Sequence, residues 1–342
     1  PDPSSFRVST IGGNIAECAG GPRCVKYGVT KDFVQGLEVV LPDGAIVDTG
    51  PCGFLRYPES ALIALLVGSE GTLGVVTKAY LKLVPIPEVR RSLAVTFLKL
   101  EEVGEVVYRV FEKGLLPSKM EFMDRICLDL IERMFGLSLD REAKALLLIE
   151  VDGEVEAVEE ELAQIEEICR KIPAKTVRRS RSAEEEQALW RARSVLSPTL
   201  SRAFPIKVNE DIVIPRGSLA EALREIQELG RRFNLLIANY GHVGDGNLHT
   251  NLLLKNDLEE KKRGQEALSE LFRLTLRLGG SVSGEHGIGI TKVKYLDWEI
   301  GEAGRKAMVQ IRDVLNPRSI FNPYKVFKEP GAEAIQQDTR LL

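Results

Sequence analysis

Segment 235–254, LLIANYGHVGDGNLHTNLLL, constrains this chain more than any other stretch. Two apolar runs flank a centre of glycines, an Asp-Gly pair and two histidines. Short apolar runs around a turn signal read as paired antiparallel strands. Asp245 and Gly246 suit the central positions of a type I′ turn, where both residues need positive φ. That turn opposes Gly244 to Asn247, Val243 to Leu248 and His242 to His249. Side chains alternate along a strand, so Tyr240, His242, His249 and Asn251 share one face. Val243 and Leu248 go to the other, apolar face. Directly opposed residues carry Cβ atoms about 4.5–5.5 Å apart. Two imidazoles held that close form either part of a metal site or a stacked, hydrogen-bonded pair.

The chain has only three histidines, and the third lies in a second glycine-rich segment, GSVSGEHGIG over 280–289. Glu285 is an anionic oxygen donor set among glycines, which permit close approaches that other residues resist. His286 points away from its neighbour, so one of the two can bind a metal while the other acts as a base. A capping carboxylate beside a buried imidazole is the structural alternative. Two histidines and a carboxylate leave coordination positions open, as a catalytic metal requires. The same set also suits zinc-dependent hydrolysis without a redox cofactor.

Residues for an anionic substrate come next. Arg193 and Ser197 are four apart in an expected helix, with Trp190 on nearly the same side. Lys207 opens the strand KVNEDIVIP. An arginine, a hydroxyl and a lysine can clamp a carboxylate, the arginine bidentately. Arg191 is a rival for the arginine's role. Two further glycine-rich turns, 9–21 (STIGGNIAECAGG) and 68–74 (GSEGTLG), let backbone N–H groups approach a pyrophosphate or a ring edge. Neither is a GxGxxG fingerprint or a P-loop.

Around these segments the periodicity alternates. Residues 1–88 are rich in glycine and β-formers, and Pro85 and Pro87 mark a boundary. Strands are expected at SLAVTFL, SKMEFMD, ALLLIEVDG and KVNEDIVIP. Helices are expected at LEEVGEVVYRVFEKG, CLDLIERMF, about 154–170, SAEEEQALWRARSVL and SLAEALREIQELGRRF, with another ending at Gly279 and Gly280. Helices on an antiparallel sheet make 89–290 an α+β unit. Residues 291–342 read as a helical segment and a polar tail. With 46 basic and 50 acidic residues and a net charge of −4, no basic field exists for nucleic acid. No apolar run approaches the roughly 18 residues that span a bilayer. The start PDPSSFRVST has no signal-peptide pattern, so a cytoplasmic chain, at most peripheral to a membrane, is the expectation. Five irregularly spaced cysteines without a CxxC read as reduced, mostly buried thiols.

Four blocks, PDPSS…STIGGNIAECAGGPR, VGSEGTLGVVT, HVGDGNLH and GEHGIG, together resemble the flavin-binding family of vanillyl-alcohol oxidase type. The resemblance is to its branch of glycolate oxidase flavoprotein subunits, D-lactate dehydrogenases and D-2-hydroxyglutarate dehydrogenases, and covers nearly the whole chain. It implies the second FAD-binding subdomain in 1–88, and an α+β, ferredoxin-like substrate cap with an antiparallel sheet in 89–290. A C-terminal segment then returns to the FAD domain. It implies FAD contacts at Ser9, Thr10, Gly12, Gly13, Asn14, Gly21, Gly71, Gly74, Val75 and Asn322. It implies a zinc or manganese ion on His242, His249 and Glu285, and a substrate carboxylate on Arg193, Ser197, Lys207 and Asn251. A small D-2-hydroxy acid is then oxidised to the 2-oxo acid, with His286 as general base and flavin as hydride acceptor. A flavoprotein or iron–sulfur partner subunit, or a homodimer, is the implied assembly. Two departures stand out. The chain begins beyond the first FAD subdomain of such proteins, which raises the alternative of a fragment or a subunit that completes its site with another chain. Tyr324 stands where glycine is usual.

Overall fold

A computed structural model describes residues 2–51, 57–136, 140–180 and 183–328. They form two compact units, one from the described residues up to 85 together with 285–328, and one from the described residues between 86 and 284. Glu285 and His286 therefore belong to the first unit, whereas the pattern reading placed the second junction near residue 290.

The first unit starts with helix α1 (Ile11–Glu17), capped by the Thr10 hydroxyl, which accepts from the Gly13 N–H at 3.0 Å. Short α2 (Cys24–Tyr27) follows, then β1 (Val34–Val40), β2 (Ile46–Asp48), α3 (Tyr57–Leu66) and β3 (Val75–Leu81). The strands form an antiparallel sheet in the order β2-β1-β3. Ile15, Leu37, Val39, Leu66 and Leu73 make its core.

The second unit is built on one seven-stranded antiparallel sheet. Its elements are β4 (Val89–Phe97), α4 (Glu101–Glu112), β5 (Lys119–Asp124), α5 (Arg125–Phe135), β6 (Ala145–Gly153), α6 (Val155–Lys171) and β7 (Ala174–Arg179). They continue with α7 (Ala183–Ser194), α8 (Leu196–Ala203), β8 (Ile206–Val213), α9 (Leu219–Phe233), β9 (Leu236–His242), β10 (Asn247–Leu254) and α10 (Leu258–Arg277). The strand order is β7-β4-β6-β5-β9-β10-β8. Nearly every residue of β6 and β10 is buried, so both faces of the sheet are covered. On one face α5, α7 and α8 pack through Leu128, Ile131, Ala192, Leu196 and Leu200 onto Met123, Leu148, Ala238 and Tyr240. The α+β architecture is as expected from the pattern. Helix α11 (Val293–Leu315) then returns to the first unit, broken by Gly301 at φ 70°.

Two local expectations change. The single helix anticipated over 182–196 is two helices meeting at Val195. Pro198 explains the break. It has no N–H for the Ser194 carbonyl, yet it is tolerated in the first turn of a new helix. Strand β7, rich in Lys and Arg, carries no apolar alternation and was not foreseen. Among the described residues the cysteines form no disulfide; Cys127 and Cys169 are buried, Cys18 and Cys24 half-buried, and Cys52 lies outside the described residues. No helix among the described residues is long and apolar enough to cross a membrane.

Asp124 joins three elements of the sheet. Its carboxylate caps α5 by accepting from the Cys127 N–H at 3.1 Å, and accepts from the Asn239 N–H of β9 at 2.6 Å. Burial pushes this carboxyl up to about 6, against the opposing effect of those hydrogen bonds. An acid whose folded pKa lies above its unfolded value holds its proton more tightly when folded. Stability from this group therefore falls as pH rises from about 4 to about 6, by roughly 2–3 kcal/mol, and is level above that. Urea unfolding of the wild type and Asp124→Asn across this range should show that slope in the first and not in the second.

Candidate functional site

The hairpin forms, but with a register two residues away from the expected one. Tyr240, not His242, lies opposite His249, and Ala238 lies opposite Asn251. Asp245 is not left-handed; positive φ falls on Gly246 (86°), and the Gly246 N–H closes the turn on the Val243 carbonyl at 3.2 Å. A type I′ turn is thus replaced by a longer loop. A shift of two preserves the face of every side chain. Tyr240, His242, His249 and Asn251 therefore still share one face, all buried.

The ring of His249 lies 5.6 Å from that of His242, edge to face, and 5.2 Å from that of Tyr240. The Asp245 carboxylate holds His242 Nδ1, with oxygens at 2.8 and 3.0 Å. Metal ligation by His242 would then run through Nε2, and a carboxylate on the other ring nitrogen is the usual support for such a ligand. On the far side of β10, β8 places Asp211 opposite His249 and Asn209 opposite Asn251. Asp211 is fully buried, 3.9 Å from His249 Nδ1. It accepts from Asn247 Nδ2 and, at 2.8 Å, from the Gly284 N–H. On the other flank, β5 places Glu121 opposite His242.

The four residues expected to hold a carboxylate converge on Tyr240. The Arg193 guanidinium carbon lies 4.6 Å from its ring centre. Burial pushes the pKa of its hydroxyl up, while the nearby Ser197, Arg193 and Asn251 work the other way. Lys207 Nζ donates to the Ser197 hydroxyl at 2.8 Å and to its carbonyl at 3.1 Å. Three strands and two helices thus bring two imidazoles, two cations, a hydroxyl and an amide to one side of one sheet. Two histidines with oxygen donors beside them fit a divalent metal, and the cations beside them fit a small carboxylate. Arg191, the rival to Arg193, is exposed on α7.

Glu285 and His286 lie in the first unit. His286 is exposed and half-buried Glu285 sits beside it, with His286 Nε2 3.9 Å from Glu285 Oε1. The backbone after them is pinned by Glu70, whose two oxygens accept from the Ile288 N–H at 2.6 Å and the Gly289 N–H at 2.8 Å. Two of the sequence blocks, VGSEGTLG and GEHGIG, are thereby tied together.

Also in the first unit, Thr10, Gly12, Gly13, Gly71, Gly74, Val75 and Asn322 line one cavity of about 460 Å³. Ser9, Asn14 and Gly21 are not among its lining residues. Gly74 is explained by packing, since a Cβ there would come within 2.6 Å of Val39 Cγ1. Gly12 meets nothing closer than 3.7 Å, so its open side belongs to the cavity. Tyr324 sits at φ 67°, the region glycine adopts without steric cost.

Glu121, Asp211 and Glu70 escaped the sequence reading. Glu121 stands between Met120 and Phe122 in SKMEFMD, and Asp211 sits inside KVNEDIVIP. An acid in the interior of a buried strand was the available signal for both.

Residues 86–326 match the family described as FAD linked oxidases, C-terminal domain, and residues 1–50 match the FAD binding domain. The glycolate oxidase subunit GlcD of Bacillus subtilis is 39% identical over 98% of this chain and 72% of its own length. The GlcD subunit of Escherichia coli K12 is 34% identical over 95% of this chain and 65% of its own length. D-lactate dehydrogenase of Anaerostipes hadrus is 33% identical over 95% and 70%. Among solved structures, 4-ethylphenol oxidase from Gulosibacter chungangensis shares the fold with a TM-score of 0.70 at 16% identity, over 94% of this chain and 71% of that one.

The site's tightest approach is at Gly284. A Cβ there would overlap Asn247 Nδ2 and come 2.7 Å from Asp211 Oδ1. Gly284→Ala should break the Asp211–Asn247 bond and destabilise the unit by about 1–3 kcal/mol. Urea unfolding would measure it; an unchanged midpoint contradicts the packing described.

Proposed function

Because the chain belongs to the FAD-linked oxidases, we propose that it oxidises a small D-2-hydroxy acid, such as glycolate or D-lactate, to the 2-oxo acid. The observation that carries this reading is the convergence of Arg193, Ser197, Lys207 and Asn251 around Tyr240, on the sheet face that also bears His242 and His249.

When bound, FAD supplies the hydride acceptor, and a zinc or manganese ion supplies the Lewis acid that lowers the pKa of the 2-hydroxyl. In this proposal Thr10, Gly12, Gly13, Gly71, Gly74, Val75 and Asn322 hold the flavin, supported by their common cavity. Ser9, Asn14 and Gly21 remain proposed contacts from the family resemblance alone. His242 and His249 hold the metal, with Asp245 keeping His242 in the tautomer that ligates through Nε2. Glu285 is the proposed third ligand. Its sequence position supports this, because the preceding Gly284 is anchored by Asp211, which lies opposite His249.

Arg193 and Lys207 neutralise the substrate carboxylate, and Ser197 and Asn251 orient it. This fixes the carbon that loses hydride, and such positioning lowers the barrier without new bonds. His286 accepts the hydroxyl proton on its imidazole, a role suited to that group near neutral pH.

The word "subunit" in the names of the Bacillus subtilis and Escherichia coli relatives supports a partner chain here as well. The chain spans 65–72% of the length of the relatives described above.

The test is spectroscopic. The chain mixed with FAD and manganese and then freed of unbound FAD by gel filtration should keep the visible flavin bands, and D-lactate or glycolate should bleach them. A protein that stays colourless defeats the reading for this chain alone. His286→Ala should retain the flavin and lose about 10²–10⁴-fold in bleaching rate; a wild-type rate means His286 is not the base. His242→Ala should lose most of its bound metal by elemental analysis, and undiminished metal removes it from the ligand set.

A further inference from the structure

Glu121 lies in the middle of β5, 1% exposed, in a strand otherwise made of apolar and flanking charged residues. A carboxylate so placed is retained only with a strong partner. That partner is Arg193, whose Nε–H donates to Glu121 Oε2 at 2.6 Å. The arginine side chain is itself only 10% exposed.

The geometry of this pair is selective. A guanidinium offers five N–H donors in a rigid plane. The carboxylate grips it at Nε, on its inner edge. Tyr240 meets it 4.6 Å from the ring centre. One contact fixes rotation about the terminal bonds, and the other fixes the plane. Among the described residues the side chain has one hydrogen-bond partner, Glu121, and it takes Nε and neither terminal nitrogen. With Nε taken by Glu121 and the guanidinium beside Tyr240, the outer end of the fork is left for a ligand. A planar carboxylate is the group that matches that end.

We propose that Glu121 is a positioning residue for the substrate carboxylate. It acts through Arg193, aiming the guanidinium's outer edge and holding it still between turnovers. The inference rests on the hydroxy-acid reading above and deepens it. Glu121 also lies directly across from His242. One residue pair of the β5–β9 ladder thus sets the spacing between the carboxylate-binding and histidine sides of the site. Without Glu121, Arg193 would be a buried cation free to choose among rotamers, and the substrate would bear the ordering cost at each binding event.

The variant to make is Glu121→Gln, which keeps an oxygen for Arg193 Nε and removes the charge. In the flavin- and manganese-loaded chain, KM for D-lactate should rise about tenfold while kcat changes less than about threefold. D-lactamide, the same alcohol with no carboxylate charge, should show no change in kcat/KM. A loss of equal size on lactate and lactamide, or an unchanged KM for lactate, overturns the proposal. Manganese content should equal wild type; reduced content would mean that Glu121 serves the histidines instead, which also overturns it. Calorimetric binding of oxalate to both proteins separates the two levels of the argument. Wild type that binds oxalate but never bleaches with hydroxy acids refutes the proposed reaction. A tenfold weaker Gln variant in that case still supports Glu121 as the aiming residue. Wild type that neither binds oxalate nor bleaches refutes both.

Discussion

The antiparallel register running from β5 through β9 and β10 to β8 is the constraint on which the candidate site depends. It sets Glu121 beside His242, Tyr240 beside His249, and His249 beside Asp211. None of these residues is close in sequence to its partner across the sheet, except within the hairpin. Backbone hydrogen bonding, shared by all residue types, fixes the spacing, and the alternation of side chains assigns the face. The polar groups then satisfy one another: Asp245 with His242, Glu121 with Arg193, Lys207 with Ser197. Buried networks of this kind hold only when their members are paired, and pairing makes them rigid.

The same sheet is apolar elsewhere. Helices α5, α7 and α8 cover Met123, Leu148 and Ala238 with Leu128, Leu196 and Leu200. The polar patch is therefore a local interruption of a packed layer. Two helices end at it: Arg193 comes from the last turn of α7 and Ser197 from the first turn of α8. The break enforced by Pro198 lets residues four apart in sequence address the same spot from two helices.

How much of this was legible beforehand depends on the range of the interaction. The hairpin, its faces and the shared face of His242 and His249 could be read directly, because alternation and turn chemistry are local. The turn type was misjudged for a specific reason. Asp-Gly pairs favour a two-residue turn with both residues left-handed, but here Gly246 alone of the pair is left-handed and the strands stop pairing earlier. Arg193, Ser197, Lys207 and Asn251 were found by chemistry and by family resemblance, and they do lie together. Glu121 and Asp211 were missed because their meaning arises only when strands far apart in sequence are laid side by side. Strand β7 was missed because it is a half-buried edge strand with Lys and Arg where apolar residues would mark a strand. The pin from Glu70 to the backbone of Ile288 and Gly289 spans more than two hundred residues and leaves no local trace.

The two-residue slip between the expected and observed hairpin has a further meaning for how such a chain can vary. Parity, more than length, is what strands β9 and β10 must conserve. Gaining or losing one residue inside β10 between His249 and Leu252 would send its chemical groups into the apolar layer and its leucines toward the polar patch. Gaining or losing two would keep every group on its side and merely slide it about 7 Å along the ladder. Odd changes are tolerable only in the Val243–Gly246 loop, where no alternation is kept. Lineages of this hairpin should therefore differ by any number of residues at its tip and by even numbers along its arms.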